Sequence, residues 1–277
     1  MLPNFLVIGA MKSGTTSLAH YLRAHPEVYV PDKKELYFFT AEDNWDRGID
    51  WYEAQFRAAG DARAVGEASV GYSMHPRFDG VPERIAKVLP EVRLIYLVRE
   101  PVERMISQYR HHAWHGWEVL PIDRALRENP VYLDTSRYAM QIERYLDHFG
   151  RDAFMVIRTE QLKSDRAATL RTVFDFLGVE SRSEIDNVDR EFHTSAGKRR
   201  VRPIAGSVQS NTVYRTVSRF IPLRVRRSLY RLGTEWISEQ PGISVGLRAH
   251  LHDRLRPDVL RLMEYANDPG FDGWGIP

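Results

Sequence analysis

No cysteine occurs among the 277 residues. That absence excludes a disulfide framework, an iron–sulfur cluster, a thiolate zinc site and a cysteine nucleophile together. A long apolar run is also missing. The opening Met-Leu-Pro-Asn-Phe-Leu-Val-Ile-Gly carries no basic stretch and turns polar within a few residues, and no later stretch is long enough to span a bilayer. Neither a signal peptide nor a membrane anchor is expected, and the expected location is the cytoplasm. There is no internal repeat and no low-complexity linker. The hydrophobic share of 43% and charged share of 27% are those of a packed chain rather than a disordered one.

Acidic residues are absent from one stretch. Between Phe192 and Thr234 there is no Asp or Glu, against ten basic residues: Lys198, Arg199, Arg200, Arg202, Arg215, Arg219, Arg224, Arg226, Arg227 and Arg231. The rest of the chain holds 29 basic and 37 acidic residues, so a net charge of +2 conceals a cationic segment on an acidic protein. Such a segment suits an anionic ligand, and a solvated arginine-rich helix face explains the charge equally well. Few aromatics accompany these arginines and they match no nucleic-acid-binding module. Pro222 divides the stretch 212–233, which favours two short helices forming a lid over one membrane-surface helix.

Apolar runs predict buried strands at Phe5–Ile8, Arg93–Val98 and Ala153–Ile157, with a weaker one at Ala64–Glu67. Helical periodicity occupies Thr16–Ala24, Val81–Leu89, Val102–Trp114, Ser136–Phe149 and Ala167–Leu177. Pro82 and Pro101 suit first helical turns, and Gly150 and Gly178 stand where helix-ending glycines belong. Strands alternating with helices predict an α/β fold with a central, mainly parallel sheet flanked by helices, whose ligands bind beyond the carboxyl ends of the strands.

Two of those ends carry chemistry. The first strand runs into Gly9-Ala-Met-Lys-Ser-Gly-Thr-Thr-Ser-Leu18. A strand, a glycine-containing turn and a helix N-terminus make an anion cradle of backbone N–H groups and helix dipole. The Gly9-to-Gly14 spacing is that of a nucleotide-triphosphate loop, but Thr15 stands where its lysine belongs, and the lysine comes earlier, at Lys12. A kinase or NTPase also needs a carboxylate for magnesium at the end of another strand. The strand Leu94-Ile-Tyr-Leu-Val98 ends instead in Arg99-Glu100-Pro101, and arginine there favours direct bidentate phosphate recognition. Ser107, on the following helix, can add a hydroxyl. A metal-free binder of a phosphorylated nucleotide is the reading, with a kinase or a non-catalytic nucleotide-binding protein as alternatives.

Phe5 to Leu18, Lys34-Glu-Leu-Tyr-Phe-Phe39 and Leu97-Val-Arg-Glu-Pro-Val-Glu-Arg-Met-Ile-Ser-Gln-Tyr109 resemble the sulfotransferases that use 3′-phosphoadenosine 5′-phosphosulfate. The closest likeness is to the branch holding heparan-sulfate sulfotransferases and many bacterial enzymes. Arg158-Thr-Glu-Gln-Leu162 and Gly197-Lys-Arg199 echo the same family. The likeness runs to about residue 200 and fades beyond it. It implies a P-loop nucleotide-kinase-like fold in one domain over 1–277, with a core at 1–200 and a basic, mainly helical part at 201–277. It implies that Lys12, Ser13, Gly14, Thr15 and Thr16 grip the 5′-phosphosulfate, that Arg99 and Ser107 hold the 3′-phosphate, and that Gly197, Lys198 and Arg199 close over the nucleotide. No metal is expected, and adenosine 3′,5′-bisphosphate is the expected product.

By the same resemblance Glu35 is the general base toward an acceptor hydroxyl or amine, and Glu67 is an accessory base or acceptor-binding group. Ala68 replaces a lysine that heparan-type enzymes commonly carry, which weakens the case for a heavily charged polysaccharide. A carbohydrate, glycolipid, phenol or other natural-product alcohol stays open. His111, His112 and His115 offer a competing base or line the acceptor side, or simply pack beside Trp114 and Trp117. Tyr138 borders the acceptor site or is a core aromatic. Expected partners are a small-molecule or carbohydrate acceptor, with a homodimer allowed and neither nucleic acid nor stable membrane insertion expected.

Overall fold

The computed structural model describes residues 1–180, 199–201, 234–236, 242–266 and 268–276. Five parallel strands form its sheet: β1 Phe5–Gly9, β2 Val28–Tyr29, β3 Ala64–Glu67, β4 Arg93–Val98 and β5 Phe154–Arg158, in the order β2-β3-β1-β4-β5. Each parallel neighbour requires a crossover, and the intervening helices cover both faces. Strand alternation divides the core. Leu6 and Ile8 of β1 join Leu94, Tyr96 and Val98 of β4 in one cluster, and Phe5 and Val7 join Ile95 and Leu97 in the other. Each such side chain removed from water contributes about 1.5–3 kcal/mol, which is why the runs read from sequence become the central strands.

Among the described residues the helices are α1 Thr15–Arg23, α2 Gly48–Ala54, α3 Val81–Val88, α4 Pro101–His115, α5 Ile122–Glu128, α6 Pro130–Asp134, α7 Tyr138–Leu146, α8 Thr159–Ser164, α9 Arg166–Leu177 and α10 Val245–Tyr265. Pro82 and Pro101 occupy first turns as expected, and Gly178 ends α9 with φ 72°. Gly150 departs from the expectation. Its φ of −65° is ordinary backbone, and it opens a 3-10 turn at Arg151–Ala153 after α7 has already ended at Leu146. Outside the sheet, β6 Arg199–Val201 pairs antiparallel with β7 Thr234–Trp236, and β6 packs against α4. Gly197, Lys198 and the arginine-rich stretch 212–233 lie outside the described residues.

The C-terminal helix α10 falls within the part 201–277 expected to be mainly helical, and its Leu247, Leu251, Leu255 and Val259 recur every four residues. It packs on α4 and α7. Leu247, Leu251 and Leu255 share a core with Val102, Met105 and Ile106 of α4. Farther along, Asp258 supplies what α7 lacks. The residue preceding α7, Arg137, makes no side-chain cap, and the Asp258 carboxylate accepts from Ala139 N at 3.0 Å and Met140 N at 2.9 Å. Asp258→Ala therefore leaves two N–H groups of α7 without an acceptor in a buried place, and urea denaturation should show a loss of about 1–3 kcal/mol. An unchanged midpoint would mean that α10 is not integral to the core.

Candidate active site

The loop after β1 is held from three sides. Ala10 N donates to Leu97 O of β4 at 2.7 Å, Thr159 Oγ1 of α8 donates to Ser13 O at 2.6 Å, and Arg104 Nη1 of α4 reaches Met11 O at 3.4 Å. A Cβ on Gly9 would lie 1.9 Å from Ser73 Oγ, so only glycine fits where the strand passes the 3-10 turn Val70–Ser73. Lys12 adopts φ 72° and Gly14 φ 92°, which folds the loop back before α1 begins. Gly14 gives the helix no side-chain cap. The first-turn N–H groups of α1 are thus left to an anion at the positive end of the helix dipole. Ser13 Oγ is buried in this loop without a hydrogen bond of ordinary geometry. An uncapped helix start beside a buried serine hydroxyl fits a phosphate or sulfate group.

Among the described residues no strand pairs with Leu36 to Phe39 of the segment carrying Glu35, yet all four amides are satisfied. Leu36 N donates to Glu67 Oε2 and Tyr37 N to Ser69 Oγ, each at 3.0 Å. Phe38 N and Phe39 N donate to Tyr72 OH at 3.0 and 3.4 Å. Glu67 ends β3 and Ser69 and Tyr72 follow it closely, so the segment is bound to the end of that strand through side chains. Glu35 itself is partly exposed, with Lys34 Nζ at 2.6 Å from Oε1 and the Tyr37 hydroxyl donating to Oε2 at 2.8 Å.

Glu67 does not stand where acceptor contact was expected. It is fully buried, and four donors converge on it: Leu36 N, Ser69 Oγ, Tyr52 OH and Tyr72 OH. Burial pushes its carboxyl above the usual range while the donors pull it back. Its place is beneath the Glu35 segment, which it positions. The signal was available in the sequence, since Glu67, Ser69 and Tyr72 are closely spaced polar groups after a buried strand.

At the end of β4, Glu100 caps α4 by accepting from Val102 N at 3.2 Å and Glu103 N at 2.5 Å. That use occupies the carboxylate nearest the position of a magnesium-holding acid. Arg99 is about a quarter exposed and stands beside Glu103, with Ser107 and Arg110 farther along α4. Arg110 was not singled out in the sequence, though its spacing from Ser107 continues the same helix face. Arg104 is fully buried and its donors meet Ser136 Oγ, Gln108 Oε1, Tyr132 O and Met11 O, all neutral. A cation without a carboxylate among the described residues therefore lies beneath the loop that holds Lys12. Within those residues no group of His, Asp and Glu side chains is arranged to hold a metal ion.

Tyr138 is a core residue. It is fully buried and its hydroxyl donates to Arg99 O at 2.8 Å, so it shapes the β4 terminus from behind. The histidines separate. His111 and His115 stack edge to face at 4.3 Å, and His115 lies flat on Trp117 at 4.4 Å. His112 faces a cleft of about 390 Å³ together with Met74, His75, Arg77, Trp117 and Asp134. That volume suits a small molecule or a sugar residue. One wall of the cleft, Met74 to Arg77, directly follows the turn that anchors the Glu35 segment.

The sulfotransferase domain model matches residues 2–219. Human heparan sulfate glucosamine 3-O-sulfotransferase 5 is 32% identical over 193 residues, covering 65% of this chain and 55% of that protein. Mouse bifunctional heparan sulfate N-deacetylase/N-sulfotransferase 4 is 32% identical over 200 residues, 64% of this chain and 22% of that protein. The chain therefore spans about half, or less, of the length of these curated relatives. A sulfotransferase from Alicyclobacillus acidocaldarius superposes with a TM-score of 0.69 at 27% identity, covering 95% of both chains.

Two outcomes test the geometry. Tyr72→Phe strands the Phe38 and Phe39 amides and removes one donor from Glu67. Urea unfolding should lose about 1–3 kcal/mol, and a loss below 0.5 kcal/mol would mean that the segment is not held this way. His112 is pulled by burial from 6.5 down to about 4. Its folded value lies below its unfolded one, so the unfolded chain binds the proton first and stability falls as pH drops from 6.5 toward 4. His112→Gln should flatten that part of the melting temperature–pH profile; a profile parallel to the parent's would place the imidazole in water instead.

Proposed function

The chain belongs to the sulfotransferase domain family, and on that premise we propose that it transfers a sulfuryl group from 3′-phosphoadenosine 5′-phosphosulfate to a hydroxyl or amine of a carbohydrate or small natural-product acceptor. One observation carries the reading. The anion loop offers Lys12 ahead of Gly14, and the neighbouring strand β4 ends in Arg99 while its adjoining carboxylate, Glu100, is consumed as a helix cap. That pattern supports direct recognition of phosphate groups by protein cations.

The donor brings an activated sulfuryl group whose negative charge is spread over several oxygens. Lys12, Ser13, Gly14, Thr15 and Thr16 bind its 5′ end through side chains and first-turn N–H groups, with the α1 dipole favouring the anion. Arg99 and Ser107 hold the 3′-phosphate, and β6, bearing Arg199, lies against the same helix. Lys12 meets the charge left on the departing phosphate oxygen, and buried Arg104 adds to the positive field below it. Glu35 takes the proton from the acceptor as its oxygen or nitrogen bonds to sulfur, and Tyr37 and Lys34 fix the orientation of that carboxylate. Positioning and charge supply most of the rate, as in phosphoryl transfer.

The cleft beside His112 and Trp117 is the acceptor side in this reading. The names of the heparan sulfate relatives favour a carbohydrate, and the aromatic face of Trp117 suits a sugar ring. No helix among the described residues is long and apolar enough to cross a membrane.

Calorimetric titration tests the donor. Adenosine 3′,5′-bisphosphate should bind without metal and more tightly than ATP with magnesium. Arg99→Ala should weaken it about ten- to a hundredfold, the loss of a charge-assisted pair. Glu35→Gln should keep that affinity and lose turnover in an acceptor screen followed by mass spectrometry. A preference for ATP with magnesium would overturn the assignment.

A further inference from the structure

A carboxylate beside a phosphate-binding arginine is a problem, and Glu103 is such a group. It sits one helical turn beyond Arg99, with Oε2 at 3.9 Å from Arg99 Nη2. An unrestrained glutamate there can swing onto the guanidinium and occupy the fork that the 3′-phosphate needs, while repelling the phosphate itself. The described structure resolves this from outside the family match. Arg248 on α10 donates to Glu103 Oε1 at 2.7 Å, and His252, one turn further along, meets Glu100 Oε1 at 3.0 Å. The two side chains recur at the helical spacing of four, so one face of α10 addresses both Glu100, which caps α4, and Glu103 in its first turn. Residues 245–265 lie beyond the matched span 2–219.

We propose that Arg248 is a positioning residue for 3′-phosphate recognition: it holds and neutralises Glu103, so that the Arg99 guanidinium stays open to the phosphate. The inference rests on the role given to Arg99 above and adds a specificity element supplied by the C-terminal helix. Arg99, Glu103 and Arg248 are all partly exposed, with side chains 27%, 39% and 38% accessible, so solvent screening keeps the effect modest. It should nevertheless fall on the 3′-phosphate alone, because the 5′ end is bound by a different loop.

The test compares adenosine 3′,5′-bisphosphate with adenosine 5′-monophosphate by calorimetry on the full chain. Arg248→Ala should weaken the bisphosphate roughly three- to tenfold and leave the monophosphate within about twofold. Glu103→Gln in the same chain should restore bisphosphate affinity, since a neutral amide neither competes for Arg99 nor repels phosphate. Glu103→Gln alone, which leaves Arg248 in place, should bind the bisphosphate at least as tightly as the parent. Equal losses for both nucleotides would make Arg248 only an anchor for α10. Failure of Glu103→Gln to rescue would make it a direct ligand, and unchanged binding would give it no role; each overturns the proposal while the donor assignment stands. A parent protein with no preference for the bisphosphate overturns both.

Discussion

Four consecutive amides, from Leu36 to Phe39, have to be satisfied without a strand beside them, and the rest of the site depends on how that is done. Buried backbone N–H groups are costly when unpaired, on the order of 1–3 kcal/mol each. Glu67, Ser69 and Tyr72 provide the acceptors. Tyr72 can serve only in one orientation, because its hydroxyl accepts from Phe38 and donates to Glu67. Glu67 in turn tolerates full burial because four donors surround it. Glu35 is therefore presented by a chain segment whose path is fixed one residue beyond it.

The same economy brings the other charged groups together. Strands β3, β1 and β4 are parallel neighbours, so the segments leaving them emerge on one edge of the sheet. The end of β3 carries the anchors of the Glu35 segment, that of β1 the loop with Lys12, and that of β4 Arg99. Cross-ties from Ala10, Thr159 and Arg104 fix the loop against β4, α8 and α4. The cationic groups reach this edge from elements far apart in sequence, and α10 completes the arrangement by engaging the acids that would oppose them.

Much of this was legible in the residues. Continuous apolar runs gave four of the five strands of the sheet within a residue or so, because a strand buried on both faces must be apolar throughout. The short strand β2 was not anticipated: two residues, Val28 and Tyr29, leave no pattern to read. The loop lysine at an unusual place and the arginine after β4 were visible because their meaning depends on local order along the chain. Glu67 was misplaced for the opposite reason. A carboxylate at a strand end faces either solvent or core, and the choice depends on Tyr52, fifteen residues away, and on the amides of a segment thirty residues earlier.

The sequence by itself determined the parallel sheet, the anion loop and the type of charge at each strand end, since these follow from hydrophobic periodicity and from residues adjacent in the chain. Only the tertiary structure decided which acids are spent. Glu100 became a helix cap, Glu67 a buried anchor and Glu103 the partner of Arg248, while Glu35 kept a face toward solvent. The physical reason is that a carboxylate's work is set by the donors around it, and here those donors come from helices and strands that only folding brings together.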